Sequence, residues 1–289
     1  MFVIFGASGN TGSVVAGALL DRGKKVRVVA RDAAKVAALA KRGAEVFVGD
    51  VLDATSVASA LAGAEGAYLL VPPDPTSTAF VARGKKIVDD YATALARAPV
   101  KHVVFLSSVA AQLPEGTGPI LTVRYAETKL PAASPKTAFT FLRAAYFMEN
   151  LLGFAHPMKA DGVLPVFGGG ESHPFPMVAT RDIGRAAAEA LLAPPAATEI
   201  VELSGPKEYS YADAASEASK ALGKPVKATP LPIDGLVPAL RATGMSEDMA
   251  KLYREMVEAF GSGRARFEGT HRSVRGTTAL GDVLRDKLG

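Results

Sequence analysis

Cysteine is absent from the 289 residues, which excludes a disulfide framework and any thiolate-held metal. Histidine occurs four times, as His102, His156, His173 and His271, far apart and never as an H-x-x-x-H pair, so no metal site is expected. There is no run of about 18 apolar residues of the kind a bilayer-spanning helix needs. The apolar stretch at Met1 reads as a four-residue strand stopping at Gly6, not as a signal peptide. A cytoplasmic location, with no membrane contact, is the resulting expectation. Low-complexity stretches and internal repeats are also missing. What remains is 48% hydrophobic and 21% charged, a composition suited to a folded chain with a large core.

The formal charge of +4 raises the question of nucleic acid. Most basic residues are dispersed among acids. One cluster, Arg264, Arg266, Arg272 and Arg275, lies in a Gly- and Ser-bearing stretch and reads as a solvated loop, with a phosphate or partner contact as the alternative. No helix-turn-helix or aromatic–basic interleaving accompanies it, so nucleic acid is not an expected partner.

The first half alternates β-branched runs with Ala-rich helical stretches, the pattern of repeated βαβ units on a parallel sheet. Strands are predicted at 2–5, 25–30, 44–49, 66–71, 101–107 and 139–143, several apolar nearly throughout, as strands buried on both faces should be. Helices fall at about 10–22, 33–42, 54–62, 79–97 and 119–133. Gly23 and Gly43 stand where left-handed caps would close helices, and Asp32 and Asp53 stand at N-cap positions. Beyond Asn150, Pro and Gly become frequent and suggest irregular connections. Regular pattern returns with a helix at 180–193, a strand at 199–204, a helix opened by the capping-box pair Ser210 and Asp213, amphipathic helices near 233–243 and 246–260, and a last helix at about 278–288. The fold class is α/β: a Rossmann-type doubly wound parallel sheet with a smaller C-terminal α/β substrate domain. Residues 1–153 plus about 180–204 form the nucleotide domain; about 154–179 and 205–289 form the smaller part.

The sharpest motif is Gly6-Ala7-Ser8-Gly9-Asn10-Thr11-Gly12, set between the strand FVIF and a helix whose inward face is Val14, Val15, Ala18 and Leu19. The first glycine permits a tight turn, the second lets the backbone approach a pyrophosphate, and the third packs helix against strand. The helix N-terminus offers free N–H groups and a positive dipole end, and Ser8, Asn10 and Thr11 could add side-chain hydrogen bonds. The competing view is a glycine turn that binds nothing. Asn10 stands where a G-x-S-x-G elbow needs its last glycine, so Ser8 is no nucleophile.

The end of the second strand decides between dinucleotides. It reads Val28-Val29-Ala30-Arg31, with Lys35 one helical turn on. An acid there would bind a ribose 2′-hydroxyl, whereas Arg31 can fork onto a 2′-phosphate. Asp32 is one residue late and is read as a cap, so NADP(H) is preferred over NAD. Gly49-Asp50-Val51 would border the adenine. Leu70-Val71-Pro72-Pro73 would lie along the ribose and nicotinamide, or else Pro72-Pro73 simply turns the chain.

The glycine turn, VRVVARD, GDVLD, HVVFLSS, LRAAYFMEN and VATRDIG, in this order, resemble the NmrA-like family of atypical short-chain dehydrogenase/reductase proteins over nearly the whole chain. That family includes NADPH-dependent quinone reductases, dye reductases and redox sensors that bind the nucleotide without turning it over. The resemblance implies a Rossmann domain, a small C-terminal domain and a substrate cleft between them. Its cofactor contacts would fall on Gly6, Ser8, Gly9, Asn10, Thr11, Gly12, Arg31, Asp50, Leu70, Val71, Ser107 and Lys129, with Tyr146 and Phe147 near the nicotinamide.

Tyr125-Ala-Glu-Thr-Lys129 has the Y-x-x-x-K spacing of active short-chain dehydrogenases. An i,i+4 pair shares a helical face, so the ammonium could lower the phenol's pKa and bind the ribose. Ser107 or Ser108, ending the fifth strand, could polarise a substrate carbonyl. Many NmrA-like proteins carry histidine at the tyrosine position, which leaves three roles open for Tyr125: proton donor, pocket wall or structural residue. Phe147, Met148, His156 and Phe167 are candidates to line the cleft, although for Met148, Met245, Met249 and Met256 core filling is the preferred reading. The leading expectation is an NADPH-dependent reductase, a monomer or homodimer, that delivers hydride to a small quinone-like or carbonyl acceptor. A non-catalytic NADP(H) sensor stands second, and a lyase or isomerase third.

Overall fold

The computed structural model describes residues 1–289. In chain order the elements are β1 (Phe2–Ile4), α1 (Gly12–Asp21), β2 (Val26–Ala30), α2 (Ala37–Lys41), β3 (Glu45–Val48), α3 (Ala54–Leu61), β4 (Gly66–Leu69), α4 (Phe80–Arg97), β5 (His102–Ser108), α5 (Leu121–Ala133), β6 (Ala138–Ala144), β7 (Tyr146–Phe147), α6 (Ala155–Asp161), β8 (Val163–Phe167), β9 (Phe175–Val178), α7 (Thr180–Leu192), β10 (Glu199–Ser204), β11 (Glu208–Tyr209), α8 (Tyr211–Leu222), β12 (Lys227–Leu231), α9 (Leu236–Ala242), α10 (Glu247–Gly261), β13 (Arg272–Arg275) and α11 (Leu280–Leu288). Eight strands form one parallel sheet in the order β13-β10-β6-β5-β4-β1-β2-β3. Strand order reverses between β1 and β4, and the crevice beyond the carboxyl ends of those two strands is where such sheets bind ligands.

Alternate side chains of the strands feed two cores. Ile4, Val28, Tyr68, Val104 and Leu142 pack under α1, α2 and α7. Val3, Phe5, Leu69, Phe105 and Phe141 pack under α3, α4 and α5. Local signals act where the sequence put them: Asp32 accepts the Ala34 amide and Asp53 the Thr55 amide, each at 2.9 Å, and Ser210 and Asp213 form a reciprocal capping box. Two later motifs tie the chain together. Glu149 accepts from both the amide and the hydroxyl of Thr180 at the head of α7, and buried Asp182 accepts from the amide and hydroxyl of Thr278 at 2.8 and 3.0 Å. Gly184 lets α7 lie directly on α1, since a Cβ there would stand 2.5 Å from Val14.

The smaller part has its own core around Met148, Met158, Leu164, Met177, Tyr209, Ala214 and Leu284. Its short strands form the β12-β8 and β11-β9-β7 sheets. Met148 is fully buried there, so it fills core and does not line a cleft. Two segments cross the expected division. Tyr146–Phe147, counted with the nucleotide domain, pairs with β9 as β7. Residues 272–275, counted with the smaller part and read as loop, form β13 on the edge of the large sheet, where Arg272 forks onto Glu199 at 2.8 and 3.2 Å. No helix is long and apolar enough to cross a membrane.

Candidate functional site

The glycine turn leaves β1 through Gly6, whose φ of +64° lies in the left-handed region that glycine occupies without strain. Gly12 starts α1 with no room for a side chain, because a Cβ would sit 2.4 Å from the Gly6 carbonyl oxygen. The Gly9 amide closes the turn onto that oxygen at 2.9 Å. The amides of Asn10, Thr11 and Gly12 have no protein acceptor. Ser8, Gly9 and Asn10 are exposed above them. Free amides at the start of a ten-residue helix, with a backbone cradle that any Cβ would fill, are what a pyrophosphate requires.

Thr11 is the exception within the turn. Its hydroxyl is buried and accepts from Tyr68 at 2.9 Å, so it braces the loop from beneath and its side chain is not offered to a phosphate. Arg31, one residue past β2, is exposed and has no ion-pair or hydrogen-bond partner of its own. It faces the loop after β4: the Asp74 carboxyl is held below its ordinary value chiefly by the Thr76 hydroxyl, with Arg83 and Arg31 adding to it. Lys35 is likewise exposed, while Asp50 accepts the Leu52 amide at 3.0 Å and shapes the turn that carries Val51. Leu70 lies against Gly6, its carbonyl accepts from Tyr91 at 3.1 Å, and Val71 and Pro72 follow, half-buried. The carboxyl ends of β1, β2, β3 and β4 thus carry the glycine turn, Arg31, Asp50 and Leu70 around one crevice.

The Ser–Tyr–Lys arrangement is not assembled. Tyr125 fills the groove between α5 and α4, and its hydroxyl donates to Asp89 at 2.8 Å. Lys129, half-buried, pairs with the same carboxylate at 3.3 Å. Lys85 stands over the Tyr125 ring at 5.5 Å. Lys129 does act to lower the phenol's pKa, as expected, but the hydrogen bond to Asp89, then burial and the Asp89 charge, outweigh it and raise the pKa. Ser107 is buried and donates to Glu127 at 2.6 Å. Helical phase explains the outcome, because residues two apart on α5 point about 200° away from one another. With Glu127 under Ser107, Tyr125 and Lys129 turn away from that serine and toward Asp89 on α4. Ser108, half-buried, has no hydrogen-bond partner and is the serine left facing the sheet's other side.

Sequence reasoning passed over the residues that occupy this space. Arg143 on β6 is 4% exposed and forks onto Glu127 at 2.7 and 2.9 Å, and it also bonds Glu268. Burial opposes the guanidinium's charge, yet Glu127 and Glu268 hold its pKa above the ordinary value. Neighbouring Glu202 accepts the amides of Glu268 and Gly269 at 2.8 and 3.1 Å. A single arginine in the apolar strand FTFLRA was the available signal, since a buried charge needs a partner. Beyond this network Gln112, Leu113, Arg264, Arg266 and Glu268 line a cavity of about 620 Å³ that no residue of the glycine turn enters.

Just past the end of β6, Tyr146 meets an aromatic cluster from the smaller part. Its ring lies 5.5 Å from Phe175 and 6.2 Å from Phe260, both edge-on. Tyr211 lies 5.2 Å from Phe175. Phe147 packs instead toward the core under α1 and α7.

Comparison with known proteins agrees with this architecture. A sequence model of the NmrA-like family matches residues 1–271. The chain is 27% identical over 259 residues to an NAD(P)H azoreductase of Xenophilus azovorans, covering 89% of this chain and 86% of that protein. It is 30% identical over 262 residues to a (4-alkanoyl-5-oxo-2,5-dihydrofuran-3-yl)methyl phosphate reductase of Streptomyces griseus, covering 90% and 84%. Its fold matches that of an NADPH-dependent quinone oxidoreductase from Escherichia coli complexed with NADPH, with a TM-score of 0.82, 23% identity and both chains fully covered.

Proposed function

The chain belongs to the NmrA-like family, and on that premise we propose that it is an NADPH-dependent reductase acting on a small carbonyl or quinone-like acceptor. The observation that carries the reading is the pairing of free amides at the head of α1 with an unpaired Arg31 at the end of β2, on either side of the crevice between β1 and β4. The amides of Asn10, Thr11 and Gly12 hold the diphosphate, and Arg31, with Lys35 beside it, takes the 2′-phosphate. Val51 borders the adenine, and Leu70, Val71 and Pro72 follow the ribose. Once bound, the dinucleotide supplies a hydride. The protein's contribution is to orient it and to keep water from the reacting face. The relatives named as an NAD(P)H azoreductase and a (4-alkanoyl-5-oxo-2,5-dihydrofuran-3-yl)methyl phosphate reductase support a reductive reaction.

Because Tyr125 is engaged by Asp89, no phenol on α5 delivers the proton, and the acceptor's proton comes from water. An acceptor whose reduced form is a stabilised anion suits such a site. The same observation favours a second reading, a nucleotide-binding sensor without turnover. Following NADPH oxidation with quinones, dyes and ketones separates the two. Saturable turnover is expected; tight NADPH binding with no acceptor consumed would support the sensor.

A further inference from the structure

Seven tyrosines are present, and four of their hydroxyls have structural partners. Tyr68 donates to Thr11, Tyr91 to the Leu70 carbonyl and Tyr125 to Asp89, while Tyr209 accepts the Leu280 amide. The other three, Tyr146, Tyr211 and Tyr253, have no carboxylate, carbonyl or amide partner and are brought together instead. The Tyr146 phenol is raised by burial and by the nearness of Tyr211 and Tyr253. Burial also raises Tyr211 and Tyr253. The trio is assembled from three places: the turn after β6, the first residue of α8, and α10. Tyr253 and Phe260 are seven residues apart on α10 and therefore share a face, which is the face turned toward Tyr146 and Phe175.

A tyrosine drawn into an apolar cluster normally finds an acceptor for its O–H, because an unsatisfied buried donor costs about 1–3 kcal/mol. The Tyr146 hydroxyl is spent on Tyr211, which leaves the O–H groups of Tyr211 and Tyr253 without an acceptor; ringed by half-buried aromatic side chains at the carboxyl end of the sheet, they make a site in want of an oxygen. We propose that Tyr146, Tyr211 and Tyr253 are the acceptor-binding end of the cleft: Tyr211, braced by Tyr146, and Tyr253 donate hydrogen bonds to the carbonyl oxygen of a flat aromatic acceptor whose ring meets Phe175 and Phe260. The proposal rests on the reductase reading. Hydride adds to the acceptor, the displaced electron pair moves onto the oxygen, and water supplies the proton. Acceptor and NADPH thus exchange two electrons, and the acceptor gains two hydrogens in all. The phenols remain protonated through the neutral range and serve as donors whose hydrogen bonds strengthen as negative charge develops on that oxygen. They are binding groups and not the source of the proton.

The test measures binding without cofactor and turnover with it. Equilibrium dialysis of cofactor-free protein with 1,4-naphthoquinone and with naphthalene compares one ring system with and without oxygens. Tyr253→Phe is expected to weaken naphthoquinone binding about tenfold, the equivalent of one hydrogen bond, with naphthalene binding changed less than twofold. Tyr211→Phe moves in the same direction. With NADPH present, the naphthoquinone KM rises in both variants while the NADPH Kd stays constant. Naphthoquinone affinity unchanged in both variants, or an equal loss for both ligands, overturns the assignment of the trio. Failure of the unmodified protein to bind NADPH overturns the reductase reading on which it rests.

Discussion

The Tyr125 hydroxyl and the Asp89 carboxylate share a hydrogen bond of 2.8 Å across the groove between α5 and α4, and in the function proposed above this contact keeps the phenol out of the chemistry. Tyr125→Phe is therefore expected to leave kcat within about twofold for both a quinone and a plain ketone, with stability lowered by about 1 kcal/mol, the worth of one hydrogen bond. A tenfold or greater loss of kcat on either acceptor would place Tyr125 back in the site.

Much of the architecture was legible, and the reasons for the misses are specific. The β1-turn-α1 unit could be read because the glycines, the apolar strand and the helix face are local features. Y-x-x-x-K spacing states that Tyr125 and Lys129 share a helical face, yet it cannot say which face turns inward; that was decided by Ser107, Glu127 and Arg143, which meet across 16 to 36 positions of sequence. Residues 272–275, Arg-Ser-Val-Arg, hold a single apolar side chain, so an edge strand looked like a loop. Of the tyrosine trio Tyr146 alone was singled out, as a neighbour of the nicotinamide; Tyr211 and Tyr253 are remote from it in sequence and each alone resembles ordinary packing.

The Glu127–Arg143 pair, with side chains 10% and 4% exposed, is expected to behave as a buried ion pair. Glu127→Ala leaves the buried guanidinium with Glu268 as its one remaining carboxylate and should cost about 3 kcal/mol, the low end for a broken buried pair, read as a fall in the denaturant midpoint. The double variant Glu127→Leu, Arg143→Met should recover much of that loss. A surface-like cost below about 1 kcal/mol for the single change would contradict the role assigned to this network.

His102 gives the pH dependence. Its ring is buried, with Nε2 3.0 Å from Thr140 Oγ1 and Nδ1 unpartnered, and burial lowers its pKa from 6.5 to about 4. The unfolded chain takes up a proton below pH 6.5 that the folded chain refuses until about pH 4. This contribution to stability is full above pH 6.5 and is lost as pH falls toward 4, by about 2 kcal/mol after allowance for residual solvent. Melting temperature measured across that range should slope more steeply for the native chain than for His102→Gln. Parallel slopes would remove His102 as the cause.

Gly12→Ala tests the phosphate cradle sterically. The new methyl would lie 2.4 Å from the Gly6 oxygen and 2.9 Å from the Phe5 oxygen, both backbone atoms, so the turn must shift. A stability loss of about 1–3 kcal/mol and failure to bind NADPH are expected; native melting and native affinity together would show that the turn is not the binding element.

Calorimetric titration of the native chain and of Arg31→Ala with NADPH and NADH goes straight to the central claim. The account predicts saturable binding of NADPH to the native chain and, in Arg31→Ala, a loss of about 2 kcal/mol for NADPH with NADH nearly unaffected. Equal losses for the two nucleotides would contradict the 2′-phosphate assignment, and the absence of binding by either nucleotide to the native chain would contradict the account as a whole.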